Sequence, residues 1–145
     1  MTTQLIHPDR IVKIRSHTRE GVLSELLHAL EETGVIERAA DLLGPLLERE
    51  RLMSTGIGYG IAIPHIKGPY VEDFVVVLGY APEPVDFGAI DGRPVSVFVL
   101  IVGPEGRQSQ YLRLLARISK ALMSKRDRIL GAKAPLEALA DLLAE

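Results

Sequence analysis

Apolar and polar residues recur with two different periods along the chain, and the changes of period divide it into elements. Residues 11–15, "IVKIR", alternate apolar and charged positions, which is typical of a strand. From residue 18 the apolar positions recur every three or four residues, which predicts a helix with one apolar face. Its inward residues are Val22, Leu23, Leu26, Leu27 and Leu30. Thr18 or Ser16 would cap this helix, and Gly34 would end it.

Three further helices are predicted. One covers residues 36–51, and because proline lacks a donor and crowds the previous turn, Gly44-Pro45 predicts a kink or two short helices there. Its inward residues are Ala39, Leu42, Leu43, Leu46 and Leu47. The next covers residues 108–124, and the last covers residues 133–144 with Pro135 in its first turn. The inward side of the 108–124 helix holds Leu112, Leu115, Ile118 (or Ser119) and Leu122.

Two short apolar runs predict the centre of a sheet. Residues 74–80, "FVVVLGY", and 95–102, "VSVFVLIV", are rich in β-branched residues and apolar at successive positions, as in strands that are covered on both faces. The connection between them is rich in proline and glycine, with a short strand expected at Val85–Phe87. Because helices and strands intermix, the predicted class is α/β or α+β, with a small sheet covered by helices.

Composition narrows the classes of function. A length of 145 residues suits one domain, residues 1–145. The net charge of −2, with no block of Lys or Arg, argues against nucleic acid as the main partner. The absence of cysteine excludes disulfides, thiol catalysis and cysteine-bound metal. No apolar run approaches the ~20 residues that span a bilayer, and the first residues do not look like a signal peptide, so a cytoplasmic protein is expected.

Residues 49–65, "RERLMSTGIGYGIAIPH", carry the candidate chemistry. The glycines at 56, 58 and 60 fit neither G-x-G-x-x-G nor a Walker sequence, and Pro64 follows where a nucleotide loop would open a helix. Ser54 is not in a G-x-S-x-G context. No second histidine or carboxylate lies at ligand spacing from His65, so no metal and no cofactor is expected. Two interpretations stay open: a glycine turn with a surface histidine, or a loop that presents His65 to a reaction partner.

Phosphoryl transfer suits the residues of this segment. A neutral imidazole is a nucleophile near pH 7 because its free pKa is about 6.5, and it can carry a phosphoryl group covalently. The charge on the phosphoryl oxygens then has to be met by hydrogen-bond donors and positive charge. The candidate donors are the side chains of Arg49, Ser54 and Thr55 and the backbone N–H groups of Gly56 and Gly58.

The same segment resembles the signature of the type-2 enzyme IIA domains of the bacterial phosphoenolpyruvate–sugar phosphotransferase system, the fructose/mannitol class with the nitrogen-regulatory IIA proteins. The matching residues are Arg49-Glu50, Thr55 to Gly58, Gly60, and Ile61 to His65. A later stretch, residues 85–106, "VDFGAIDGRPVSVFVLIVGPEG", is similar to a second family segment. The resemblance runs over almost the whole chain.

This resemblance implies an α/β sandwich, a small mixed β-sheet flanked by helices. It implies that Nε2 of His65 accepts a phosphoryl group from an HPr-like carrier protein. The group then passes to a IIB domain or serves as a regulatory mark, and no metal is required. Arg49 and Thr55 would line the phosphoryl pocket, although Thr55 could instead be a turn residue, and Glu50 is expected to be a solvated helix charge. A short chain without attached domains favours the nitrogen-regulatory branch or a free-standing fructose-type IIA, and of these two the regulatory role is expected.

One position departs from the family pattern. Where the family often has a second histidine, in the pattern P-x6-H-L, this chain has Tyr111. Tyr111 would either replace that histidine as a neutral donor in the phosphoryl site or pack in the core. The substitution also keeps an alternative function open, a IIA-like module that acts by protein contact without transferring phosphate. His7 and His17 are expected in loops, and His28 beside the apolar stripe of its helix.

Overall fold

The structure, a computed structural model, describes residues 11–52, 56–58, 60–89 and 91–130. His7 and the last predicted helix, residues 133–144, lie outside these ranges. The helices of the described part are α1 (Arg19–Glu32), α2 (Ala39–Leu52) and α3 (Gln108–Leu130). Its strands are β1 (Ile11–Lys13), β2 (Gly56–Gly58), β3 (Ile61–Ala62), β4 (His65–Gly68), β5 (Val75–Val85) and β6 (Val95–Pro104).

These strands form one mixed sheet with β6 at its centre. The order is β1-β5-β6-β3-β2, and β4 also pairs with β6. β5 and β6 are antiparallel, whereas β1 pairs with β5 in parallel, and β3 and β4 each pair with β6 in parallel. β3 lies against Val97 and Phe98, and β4 lies against Ile101 to Pro104. β3 and β4 therefore follow each other along one side of the same strand.

Side chains of the central strands alternate between two apolar layers. Val77 of β5 and Leu100 of β6 pack with α1 and α2, while Leu78 and Val99 pack with α3 on the opposite face. Because both faces of the sheet are covered by helices, these strands need apolar residues at successive positions. The predicted central strands and the small mixed sheet flanked by helices are confirmed.

The glycine-rich segment is not the loop that the sequence predicts. Gly56–Gly58 and Ile61–Ala62 form an antiparallel pair, with an irregular register at Gly56/Gly58. Gly60 joins the two strands with a φ of 80°, a conformation that glycine adopts without steric cost. Its carbonyl accepts hydrogen bonds from the amides of Ser96 and Val97 at 2.9 and 3.0 Å. The position of this segment is determined by backbone hydrogen bonds to β6. Such bonds do not depend on the side chains, so the apolar pattern of the segment did not predict its strands.

Pro64 interrupts the edge of the sheet immediately before the candidate histidine. Proline has no N–H to donate, but its carbonyl accepts from the amide of Ile101 at 3.0 Å, which keeps the chain against β6. Pairing then resumes at His65, the first residue of β4 and the register partner of Ile101. His65 is therefore fixed to the central strand of the sheet.

The described helices correct two further details. α2 is one helix that includes Pro45, so the division into two helices is wrong. Because Pro45 has no N–H, the carbonyl of Asp41 lacks its usual helical hydrogen bond. Asp41 and Pro45 are both exposed, so water can donate to this carbonyl instead. The short strand expected at Val85–Phe87 is instead the end of β5, which stops at Val85 after a register shift.

The first turn of α3 is rotated relative to the prediction. Leu112 is 52% exposed, whereas Tyr111 is 3% exposed, so the inward assignment of Leu112 is wrong. Ile118 and Leu122 are buried as predicted, at seven and eleven residues from Tyr111. These spacings place all three side chains on one side of the helix, with Leu112 about 100° away from Tyr111.

Thr18 is the cap of α1, which settles the choice left open by the sequence. Its Oγ1 accepts from the amide of Gly21 at 3.0 Å. We expect Thr18→Ala to lower the free energy of unfolding by about 1 kcal/mol, because an N–H in the first turn loses its partner. Denaturant unfolding measures this, with Ser16→Ala as the control. A larger loss in the Ser16 variant than in the Thr18 variant would contradict the assignment.

Candidate functional site

His65 lies on the α3 face of the sheet, beside the first turn of that helix. Successive residues of a strand point to opposite faces, and Ile66 is buried in the layer with α1 and α2. His65 therefore faces the layer that contains Tyr111. The two ring centroids are 5.9 Å apart, and the ring planes are tilted by 55°. The imidazole is half-buried, so it lies at the surface of that layer.

The hydrogen bonds of His65 define its tautomer. Nδ1 lies 2.8 Å from the carbonyl oxygen of Ile63, which can only accept, so Nδ1 carries the proton. Nε2 lies 3.1 Å from Nη2 of Arg49, which can only donate, so Nε2 carries the lone pair. The ring is neutral in this arrangement, and its nucleophilic nitrogen is Nε2.

Arg49 reaches the imidazole from the last turn of α2, as the sequence predicts. Its neighbour Glu50 is 2% exposed, so the expectation that Glu50 is a solvated charge is wrong. Glu50 follows the buried residues Leu42 and Leu46 at four-residue intervals, which places it on the inward side of α2. Arg49 lies on the exposed side and is free to turn toward His65.

The surroundings of His65 favour the uncharged ring. Burial lowers the pKa of His65, the hydrogen bond to Ile63 raises it, and the positive charge of Arg49 lowers it, with a net pKa below the ordinary value. In the interval between the two pKa values the unfolded chain binds more protons than the folded chain. The contribution of His65 to stability is therefore lost as the pH falls below about 6.5.

Tyr111 is a buried residue that packs beside the imidazole of His65. Its ring stacks on Phe74 with the centroids 6.4 Å apart, and Gly103 leaves room for both rings, since a Cβ there would lie 2.9 Å from Phe74 and 3.0 Å from Tyr111. The hydroxyl is buried and has no hydrogen-bond partner among the described residues. Burial raises the pKa of Tyr111 to about 12, against a lowering by Arg49. Tyr111 is thus a neutral phenol packed in the core layer of α3, and its hydroxyl hydrogen has no acceptor in the part of the chain that the structure describes.

The structure brings together three of the predicted site residues, His65, Arg49 and Tyr111. Ser54 and Thr55 lie outside the described residues. The backbone of Gly56 and Gly58 is in β2, which pairs with β3 just before His65, and their predicted contact with a phosphoryl group stays a prediction.

Sequence reasoning missed Lys67, whose Nζ lies 5.7 Å from the centroid of the Tyr111 ring. Its position two residues after His65 could have identified it as a neighbour of the histidine. That identification required β4 to be recognised as a strand, because only in a strand do residues two apart share a face.

The other described histidines lie apart from this site. His17 is outside the regular elements and pairs with Glu83 at 3.4 Å, while His28 pairs with Glu32 at 2.8 Å on the exposed side of α1. Within the described ranges, no group of three or more His, Asp or Glu residues is arranged to hold a metal ion. Over the same ranges, no helix combines the length and the hydropathy that crossing a bilayer requires.

The fold and the site define an α/β protein with a neutral, arginine-contacted histidine at the edge of its sheet. Residues 4–142 match the family model described as phosphoenolpyruvate-dependent sugar phosphotransferase system, EIIA 2. The chain belongs to this EIIA type-2 family. Membership confirms the class of function that the sequence predicted, a phosphotransferase-system component with a phosphocarrier or regulatory role.

Two relatives represent the two branches of the family. The chain is 38% identical to a nitrogen regulatory protein of Bradyrhizobium diazoefficiens, covering 83% of this chain and 78% of the relative. It is 33% identical to a fructose-specific EIIA component of Haloferax volcanii, covering 88% of this chain and 84% of the relative.

Solved structures confirm the fold. The nitrogen regulatory protein IIA-Ntr of Neisseria meningitidis matches with a TM-score of 0.86 and 27% identity, covering 97% of each chain. The mannitol IIA enzyme of Escherichia coli, solved in complex with its phosphorylated IIB enzyme, matches with a TM-score of 0.69 and 20% identity, covering 96% of each chain.

Proposed function

We propose that this chain is a histidine phosphocarrier in which Nε2 of His65 is the phosphoryl acceptor. The observation that carries the proposal is the fixed tautomer, with Nδ1–H donated to Ile63 and the Nε2 lone pair turned toward the guanidinium of Arg49. The lowered pKa keeps this nitrogen unprotonated near neutral pH. A nucleophile and a cation are thereby placed together before any donor arrives.

The transfer is a substitution at phosphorus. The lone pair of Nε2 forms the new N–P bond while the P–N bond to the histidine of the donor breaks, and its electron pair returns to the donor's ring nitrogen. The developing positive charge on the His65 ring is stabilised by the hydrogen bond from Nδ1 to the carbonyl of Ile63. No metal or further reactant takes part in this step.

Arg49 has two successive roles in this proposal. Before transfer its N–H group occupies the Nε2 lone pair, and that hydrogen bond has to break for attack. The same guanidinium then donates hydrogen bonds to the phosphoryl oxygens, because its planar arrangement of N–H groups matches the spacing of those oxygens. The hydroxyl of Tyr111 and the predicted donors of residues 54–58 would complete the pocket.

The proposed donor is an HPr-like phosphocarrier protein in the cytoplasm. The acceptor is a IIB domain, as the mannitol IIA enzyme has in its complex with phosphorylated IIB, or a regulatory target. We favour regulation, because the nitrogen regulatory protein of Bradyrhizobium diazoefficiens is 38% identical to this chain and the fructose-specific EIIA component of Haloferax volcanii is 33% identical. A phosphoryl group adds about −1.5 to −2 charge units at the His65 surface, which changes the partners that can dock there.

The test is the chemical form of the phosphate on the purified chain. With phosphoenolpyruvate, enzyme I and an HPr-like carrier, we expect stoichiometric phosphate that is labile to acid and stable to base. Alkaline hydrolysis should release phosphohistidine substituted on Nε2 alone, because Nδ1 is bonded to Ile63. The Nδ1 isomer would contradict the proposed tautomer. A chain that takes no phosphate from an active donor would instead be the non-transferring binding module.

A further inference from the structure

Tyr111 brings a second cation to the edge of the site. Lys67 and His65 are two residues apart in β4 and share one face of the sheet. Both side chains contact the same aromatic ring, since Nζ of Lys67 lies 5.7 Å and the imidazole centroid 5.9 Å from the centroid of Tyr111. The ammonium of Lys67 and the imidazole of His65 therefore lie close to the same aromatic ring.

The ammonium of Lys67 is available to a ligand. Lys67 is exposed, and no carboxylate within the described ranges forms an ion pair with it. An exposed cation–π contact contributes only about 0.5–1 kcal/mol and leaves the positive charge uncompensated. The ring therefore orients Lys67 without neutralising it, and a nearby dianion would attract the ammonium more strongly than the ring does.

We infer that Lys67 is a phosphoryl-binding residue: once His65 carries the group, the ammonium leaves the Tyr111 ring and pairs with the phosphoryl oxygens. Arg49 approaches Nε2 from the end of α2, and Lys67 approaches from the same strand as His65, so the two cations enclose the group from different elements. The inference rests on the proposed function, since it assigns a further residue to the same phosphorylated nitrogen.

The experiment uses phosphoramidate, a small P–N phosphoryl donor that needs no protein partner. In this reaction Nε2 of His65 forms the new bond while ammonia leaves phosphorus with the electron pair of the broken bond and a proton. The variants are Lys67→Gln, Lys67→Arg and the matched control Lys13→Gln. Lys13 is an exposed lysine of β1, on the far side of β5 and β6 from β4. Each Gln variant removes one positive charge from an exposed position.

Two quantities are measured by phosphorus NMR, the rate of phosphorylation and the second pKa of the phosphoryl group on His65. A nearby cation favours the dianion and lowers that pKa, so Lys67→Gln should raise it by about half a unit. The rate should fall by about three- to tenfold, as for loss of one charged donor at a partly solvated site. Lys67→Arg should stay near the wild type, and Lys13→Gln should change neither quantity.

The outcomes separate this inference from the function on which it rests. If the wild type is phosphorylated on His65 and Lys67→Gln behaves as Lys13→Gln does, the inference is overturned and the phosphocarrier stands. If the wild type accepts no phosphate from either phosphoramidate or the carrier protein, both fail. A raised phosphoryl pKa that Lys67→Arg restores supports the inference, because a purely structural lysine would not alter that pKa.

Discussion

Replacing His65 with glutamine is expected to abolish phosphate incorporation, with a loss of about a thousandfold or more, because the amide nitrogen has no lone pair that can attack phosphorus. The measurement is transfer of labelled phosphate from phosphoenolpyruvate through enzyme I and an HPr-like carrier. Glutamine is a suitable replacement because it is polar and close to histidine in size, and its amide nitrogen is not a nucleophile.

His28→Gln is the matched control for this variant. His28 is exposed on α1 and pairs with Glu32, so its replacement should leave both incorporation and stability unchanged. Circular dichroism of both variants checks that each is folded. If His65→Gln retains a substantial part of the wild-type phosphate, the acceptor lies elsewhere in the chain and the proposed site is wrong.

Replacing Arg49 with methionine is expected to slow phosphoryl acceptance by roughly ten- to a thousandfold, as for loss of a preorganised donor at a developing charge. The same change should raise the pKa of His65 toward its ordinary value, because the positive charge of Arg49 is one of the causes that lower it. Rapid-quench kinetics measure the first effect, and proton NMR of the imidazole at a series of pH values measures the second.

Arg51→Met provides the comparison for Arg49→Met. Arg51 lies in the same last turn of α2 and pairs with Glu48 at 3.1 Å, so the substitution is identical but the contact with Nε2 is kept. Its rate and its His65 pKa should match the wild type. Equal rates in the two arginine variants would remove Arg49 from the phosphoryl pocket, whatever the effect on stability.

The central architecture could be predicted from the sequence because its pattern is strong. The short apolar runs at residues 74–80 and 95–102 indicate strands covered on both faces, and the three- to four-residue spacing in α1 shows which of its residues are buried. The contact between Arg49 and His65 was anticipated from the position of the arginine at a helix end, together with the resemblance to the family.

The edge of the sheet could not be predicted in the same way. His65–Gly68 has no alternation strong enough to indicate a strand, and its position is determined by backbone bonds to β6, a strand about thirty residues later. The four-residue spacing between Leu46 and Glu50 indicates that both lie on the inward side of α2. The burial of Glu50 was nevertheless not predicted, because a carboxylate on a helix is ordinarily exposed. Tyr111 and Leu112 are both large and apolar enough to be buried, and only packing decided between them.

The buried phenol of Tyr111 beside His65 has a consequence for how the site responds to pH. An imidazole at that place would gain or lose a proton within the range of pH that cells experience, and its hold on a neighbouring anion would vary accordingly. Burial raises the pKa of Tyr111 to about 12, so the hydroxyl stays protonated throughout that range. The contribution of Tyr111 to the site should then be the same at all these pH values, and any dependence of the phosphorylated state on acidity would come from His65 and the phosphoryl group themselves.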